Sequence, residues 1–236
     1  MKITKLKDHQ FITDVAEVSR EYFLKHKDKS PDEEVIASKR EHYAIETLSS
    51  ISNVIICLDQ LYFSVDMLSG YSEHKTHKSM NRYDYILYNV ENFYLRLTSI
   101  YDRCLRLTNV VYQLGLPERQ CNYYTVVKND HLKNTKIAED LKSLDKFSEQ
   151  FRFHRNLIAH NATYSEEDLD RLGPMFYVVE TDDDLKRYRH FLKIKTDNYI
   201  AKKKDEFNNY IYNVEDLVDS FFNSIKEQYL VKVESL

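Results

Sequence analysis

Arg155 and His160, in the stretch Arg155-Asn156-Leu157-Ile158-Ala159-His160, are the two side chains whose types and spacing best suit chemistry in this sequence. An imidazole takes or gives a proton close to neutral pH. A guanidinium stays charged and can fork onto phosphate oxygens as negative charge builds on them. With 12 arginines and 9 histidines in 236 residues, an Arg followed five positions later by His is expected about 0.5 times by accident. Requiring Asn directly after the Arg lowers that to about 0.03. On an α-helix, five residues give about 7.5 Å of rise and about 140° of rotation, so Arg155 and His160 do not share a face. Asn156 and His160, at i and i+4, do, and the Asn156 amide is placed to hydrogen-bond or orient the imidazole. In a plainer reading the Arg and His only flank a core turn formed by Leu157 and Ile158, with Asn161 capping the helix.

The elements that must position these residues are helices. Gly and Pro are costly inside helices and favoured at their ends, and here they fall at Pro31, Gly70, Gly115-Leu116-Pro117 and Gly173-Pro174. Apolar residues recur every three to four positions between these points, which predicts a first helix over about residues 7–25. A capped start at Ser30-Pro31-Asp32-Glu33-Glu34 then leads into a long helical stretch to Leu68. A central core helix is predicted over about residues 83–114, and a short helical piece over about 119–128. One helix over about 136–161 carries the Arg155–His160 stretch, with Phe147, Phe151, His154, Leu157 and Ile158 toward the core. Ser165-Glu166-Glu167-Asp168 reads as a helix start and Gly173 as its end. Phe176-Tyr177-Val178-Val179 is the one β-like run. A final helical region spans about 183–231, either continuous or broken near Thr196.

Phe153-His154-Arg155-Asn156-Leu157-Ile158-Ala159-His160-Asn161 resembles the motif of the HEPN superfamily, an Arg followed after a few residues by His, often with a polar residue directly after the Arg. The helix before it, with Tyr101-Asp102-Arg103 at its centre, is similar to the helix packed against the motif helix in that family. The resemblance implies an all-α, HEPN-like antiparallel helical bundle with additional N- and C-terminal helices. It covers about residues 83–161 of one helical domain spanning 1–236. It further implies a metal-independent endoribonuclease in which an RNA 2′-hydroxyl attacks the neighbouring phosphate, leaving a 2′,3′-cyclic phosphate and a 5′-hydroxyl. Arg155, Asn156 and His160 would be the catalytic group, with no cofactor and no metal. HEPN dimers imply a homodimer in which one protomer's Arg meets the other's His. Toxin or antiviral-defence activity is the family-level expectation, with an antitoxin or a partner nucleotidyltransferase as regulator. In one toxin subset a Tyr follows the His at the second position; Ala162 stands there, which puts control by tyrosine modification in doubt and leaves only Tyr164 nearby. The family also holds noncatalytic members that bind a nucleotide or a partner protein, and that alternative stays open.

Around the motif, Arg152 is the better candidate for RNA contact, whereas His154 falls on the apolar face. Asp102 and Arg103 either support the site or form a structural ion pair. Lys186, Arg187, Arg189, Lys193, Lys195, Lys202, Lys203 and Lys204, with only Asp197 among them, either bind RNA backbone or form a solvated helix face. Glu73-His74-Lys75-Thr76-His77 holds two histidines without a third ligand and reads as a polar loop. No Gly-rich phosphate loop, GxSxG or HExxH sequence is present, which disfavours nucleotide, serine and zinc hydrolysis.

The totals fit this reading. Apolar residues make up 42 % and charged residues 31 % of the chain, and the most apolar stretch, about residues 51–68, contains Asp59 and Asp66, so it is read as core rather than as a membrane span. No signal peptide is visible and a cytoplasmic location is expected. Cys57, Cys104 and Cys121 are far apart and odd in number, which suggests buried thiols. A net charge of −4 argues against nonspecific coating of nucleic acid but leaves room for a locally basic RNA site. The 19 tyrosines, in the absence of Trp, are read chiefly as helix-packing residues, although stacking on bases would use the same side chains.

Overall fold

A computed structural model describes residues 2–28, 36–72, 80–160 and 163–236. The fold is all-α, as the periodicity predicts, with no strand among the described residues. The helices are α1 (Gln10–His26), α2 (Lys39–Met67), α3 (Arg82–Val111), α4 (Lys136–Glu149), α5 (Arg152–His160), α6 (Glu167–Thr181) and α7 (Lys186–Glu234). The expected cap at 30–34 and the Glu73–His77 loop lie outside the described residues, as do Asn161 and Ala162. α2 starts on a reciprocal cap. The Glu41 N–H donates to the Ser38 hydroxyl at 3.2 Å, and the Ser38 N–H donates to the Glu41 carboxylate at 2.9 Å. α2 is the one described helix long and apolar enough to cross a membrane, and over half of its most apolar window is buried within the protein.

The chain divides into two compact units, to both of which α2, α3 and α7 contribute. In the unit formed by Thr4–Leu58, Ser99–Ser148 and Val214–Leu236, aromatic residues fill the interior. Phe11 meets the edges of Phe222 and Tyr229, and Tyr43 stacks on Tyr229 at 5.4 Å while its hydroxyl donates to the Val111 carbonyl at 2.9 Å. The other unit, from Asp59–Thr98 and Glu149–Asn213, has Phe93 stacked on Phe207 at its centre, with Ile86, Val90, Leu97, Leu192 and Ile211 buried in the same unit.

Two predicted boundaries differ. The single helix expected over 136–161 breaks after Glu149, because buried Phe151 inserts between Tyr94 and Tyr210, at ring distances of 6.1 and 4.8 Å, and restarts the chain as α5. The β-like run Phe176–Val179 is helical, and α6 passes through Gly173-Pro174 instead of ending there. The missing Cβ of Gly173 makes the difference: one built there would sit 3.0 Å from the Tyr83 ring, and Phe176 packs on the same ring. This tertiary contact outweighs the hydrogen bond that Pro174 removes. Of the two readings of the last helical region, the continuous one holds: α7 runs unbroken through Thr196, which is fully buried and whose hydroxyl donates to the Leu192 carbonyl at 2.8 Å.

Candidate functional site

α5 is sorted by helical phase. Phe151, just before it, is buried, its carbonyl accepts from the Arg155 N–H at 3.0 Å, and His154, three residues on, is half-buried. The His154 ring stacks on Tyr94 at 4.7 Å and tilts against Tyr164 at 5.2 Å. Leu157 and Ile158 continue this face only as half-buried side chains, so they cover less core than the sequence pattern suggests. Arg152, Phe153, Arg155, Asn156, Ala159 and His160 are exposed.

The motif side chains therefore stand on the outside of a short helix anchored from behind. Arg155 Nη1 donates to Asn156 Oδ1 at 3.1 Å. Asn156 thus engages its neighbour, and among the described residues no hydrogen bond joins it to His160. Arg152 lies 3.7 Å from Glu149 in an exposed ion pair. Asp102 and Arg103 belong to the other unit. Asp102 is exposed, and Arg103 is half-buried with its Nε enclosed and lacking a hydrogen-bond partner.

Behind α5 lies a polar network within the same unit that the sequence reading missed. Lys203, 1 % exposed, sits between two carboxylates, its Nζ 2.7 Å from Glu166 and 2.8 Å from Glu206. The Tyr164 and Tyr199 hydroxyls each donate to Glu166 at 3.0 Å, and the Tyr210 hydroxyl donates to Glu206 at 2.9 Å. The ammonium also lies over the rings of Tyr164, Tyr199 and Phe207 at 5.6–5.9 Å. Lys203, Glu166, Glu206, Tyr164 and Tyr210, with His154 and Gln150, line a cavity of about 400 Å³. Lys203 is thus neither a phosphate contact nor part of a solvated face. It falls on the apolar stripe Leu192, Thr196, Tyr199, Ile200, Lys203, Phe207 and Ile211 of α7, and a lysine in that phase was the available signal.

The electrostatics follow from this arrangement. Burial pushes the Glu166 carboxyl up, but Lys203 and the Tyr199 and Tyr164 hydroxyls outweigh it and hold the group below its ordinary range. Burial, reinforced by Lys203, pulls the His154 imidazole below its usual value. Burial raises the phenols of Tyr94, Tyr164 and Tyr199, and the Tyr210 phenol is pushed up to about 12. Tyr164 is buried and bonded to Glu166, which removes it as a modification target in the folded chain.

Others of the basic run are also paired. Lys193 and Arg82 share Asp197 at 2.8 and 2.5 Å, and Lys202 meets Asp168 at 2.8 Å. Among the described residues no three His, Cys, Asp or Glu side chains gather as a metal site.

A family model described as Cthe2314-like HEPN matches residues 20–226, well beyond the stretch that carries the motif. No curated protein and no solved structure matches the chain.

Proposed function

The chain belongs to the Cthe2314-like HEPN family, and from that membership we propose that it is an endoribonuclease acting through Arg155 and His160. The observation that supports this reading most directly is the sidedness of α5: Phe151 and His154 hold the helix, while Arg155 and His160 are left exposed to meet a polyanion. In the reaction, His160 accepts the proton of an RNA 2′-hydroxyl as that oxygen bonds to phosphorus. Arg155 stabilises the charge on the non-bridging oxygens. The bond from phosphorus to the 5′ oxygen breaks, that oxygen takes up a proton, and a 2′,3′-cyclic phosphate and a 5′-hydroxyl remain. None of these steps calls for a metal.

The separation of about 7.5 Å and about 140° along the helix favours a site completed by a second copy, with one protomer's Arg155 beside the other's His160. Phe153, 72 % exposed on the same helix, offers apolar area for such an interface. Arg152 would extend the contact to RNA backbone. Activity as a cytoplasmic toxin or antiviral-defence effector restrained by an antitoxin fits the family, whereas restraint by a nucleotidyltransferase that modifies a tyrosine after the His finds no target at Ala162 or at buried Tyr164.

The test is incubation of the purified protein with total RNA in EDTA, beside His160→Ala and Arg155→Ala, with end-group analysis of the products. Cleavage leaving cyclic phosphates and lost in both variants is the expected result. Chelator-resistant cleavage that survives His160→Ala would refute the site, and a protein that cuts no RNA would be a noncatalytic module that binds a nucleotide or a partner. Light scattering showing only monomer at micromolar concentration would remove the composite site.

A further inference from the structure

α7 carries a second feature that the motif chemistry does not use. Residues 186–204 hold eight basic residues and one acidic residue, a net +7 in a chain whose total is −4. At 100° per residue, Arg187, Tyr188, Phe191, Lys195, Asn198 and Lys202 fall on one face of the helix, about 100° wide and about 22 Å long. All six are exposed, Tyr188 at 41 % and Phe191 at 47 %. Cations and rings are paired along this face: the Arg187 guanidinium lies 4.9 Å from the Tyr188 ring centre and the Lys195 ammonium 5.4 Å from that of Phe191. Within the same unit, α6 walls the strip to make a groove of about 360 Å³ against Phe191, Lys195, Asn198 and Lys202.

We infer that this strip, with the groove along its Phe191–Lys202 part, binds a single strand of RNA, with bases stacking on Tyr188 and Phe191 and backbone phosphates meeting Arg187, Lys195 and Lys202. A ring with a cation beside it supplies both halves of nonspecific single-strand binding, since every base has a face to stack and every nucleotide a charge to neutralise. Lys202 is held by Asp168, but both side chains are more than half exposed, and an exposed ion pair of this kind is weak enough for a phosphate to displace. A duplex keeps its bases stacked and cannot use the rings. An anionic membrane would favour an open apolar face, whereas this strip is walled by α6 along Phe191, Lys195 and Lys202 and interrupted by the Asn198 amide. Identifying the nucleic acid as RNA rests on the proposed ribonuclease reading; the groove itself does not.

Binding is measured separately from cleavage, by fluorescence anisotropy in the His160→Ala background with a labelled mixed-sequence single-stranded RNA, the matching duplex and, by co-sedimentation, vesicles containing phosphatidylserine. Phe191→Ala and Lys195→Glu, both at exposed positions, should keep the thermal unfolding profile and together weaken single-strand binding at least tenfold. Lys195→Glu should also flatten the dependence of log affinity on log salt. Unchanged affinity in the double variant, tighter binding to duplex or vesicles, or no binding of the single strand by the parent protein would each overturn the inference. A protein that binds the strand through this groove yet cuts no RNA in the unsubstituted form would leave the inference standing and refute the proposed function.

Discussion

Replacing Lys203 with Met removes a charge and keeps most of the volume. Lys203 is 1 % exposed and contacts Glu166 and Glu206 at 2.7 and 2.8 Å. Removing one partner of a buried ion pair typically costs about 3–5 kcal/mol, because the remaining charge has lost its compensation. The two glutamate side chains retain 24 % and 27 % exposure and keep their tyrosine donors, so water and hydroxyls absorb part of the loss and the lower end, about 3 kcal/mol, applies. For a chain of this size that is a fall of about 6–12 °C in Tm, measured by thermal unfolding followed by circular dichroism. The pH dependence gives a second arm. The Glu166 carboxyl is held below its ordinary range, so its stabilisation is complete above about pH 4.5 and is lost as pH falls below that. The gap between wild type and Lys203→Met should therefore narrow in acid, and Lys203→Met combined with Glu166→Gln and Glu206→Gln should recover much of the stability. A cost below about 1 kcal/mol, the range of an exposed pair, or a gap that widens in acid, would refute the view that this lysine is the charge centre of the unit.

Glu41 is held near 2 against an ordinary 4.5, by the Lys25 ammonium at 2.6 Å and then by Ser38, so its stabilisation is present above pH 4.5 and lost toward pH 2. Urea midpoints of wild type and Glu41→Gln should converge across that window, and parallel curves would contradict the assignment. Pro174→Ala restores a helical N–H within α6 and should stabilise by about 1–3 kcal/mol; a destabilised variant would show that the local geometry depends on the proline. The His154 ring, followed by NMR, should titrate below 6.5 in wild type and closer to 6.5 in Lys203→Met, since burial and Lys203 both oppose its charging; a wild-type midpoint at or above 6.5 would contradict the packing of α5.

The helices were legible because a period of 3.6 in apolar residues survives any tertiary arrangement, and α3 runs through nearly the whole predicted span. What the sequence hid were contacts between distant residues. Gly173-Pro174 has the composition of a helix end, and only the Tyr83 ring packed against it shows why α6 continues. The break after Glu149 follows from the pocket that Tyr94 and Tyr210 make for Phe151, over fifty residues away in each direction. Lys203 reads as one cation in a basic run until its phase on α7 is noticed. The motif was the easier target, since its residues are adjacent in sequence, but their outward orientation depends on which neighbours of α5 are anchored.

That anchoring separates the two histidines of α5 by role. His154 stacks on Tyr94 and tilts against Tyr164, with its Nδ1 buried and without a hydrogen-bond partner and its imidazole pulled toward the neutral form. A ring held this way contributes area and shape, and its enclosed nitrogen costs free energy because a desolvated polar atom goes unpaired. Phenylalanine keeps the ring and removes that nitrogen. His154→Phe should therefore fold at least as stably as wild type and keep whatever cleavage the protein has, whereas His160→Phe should lose cleavage while melting normally. If His154→Phe were the variant that lost activity with stability intact, proton transfer would belong to the inner histidine, and the outward face of α5 would serve only to bind.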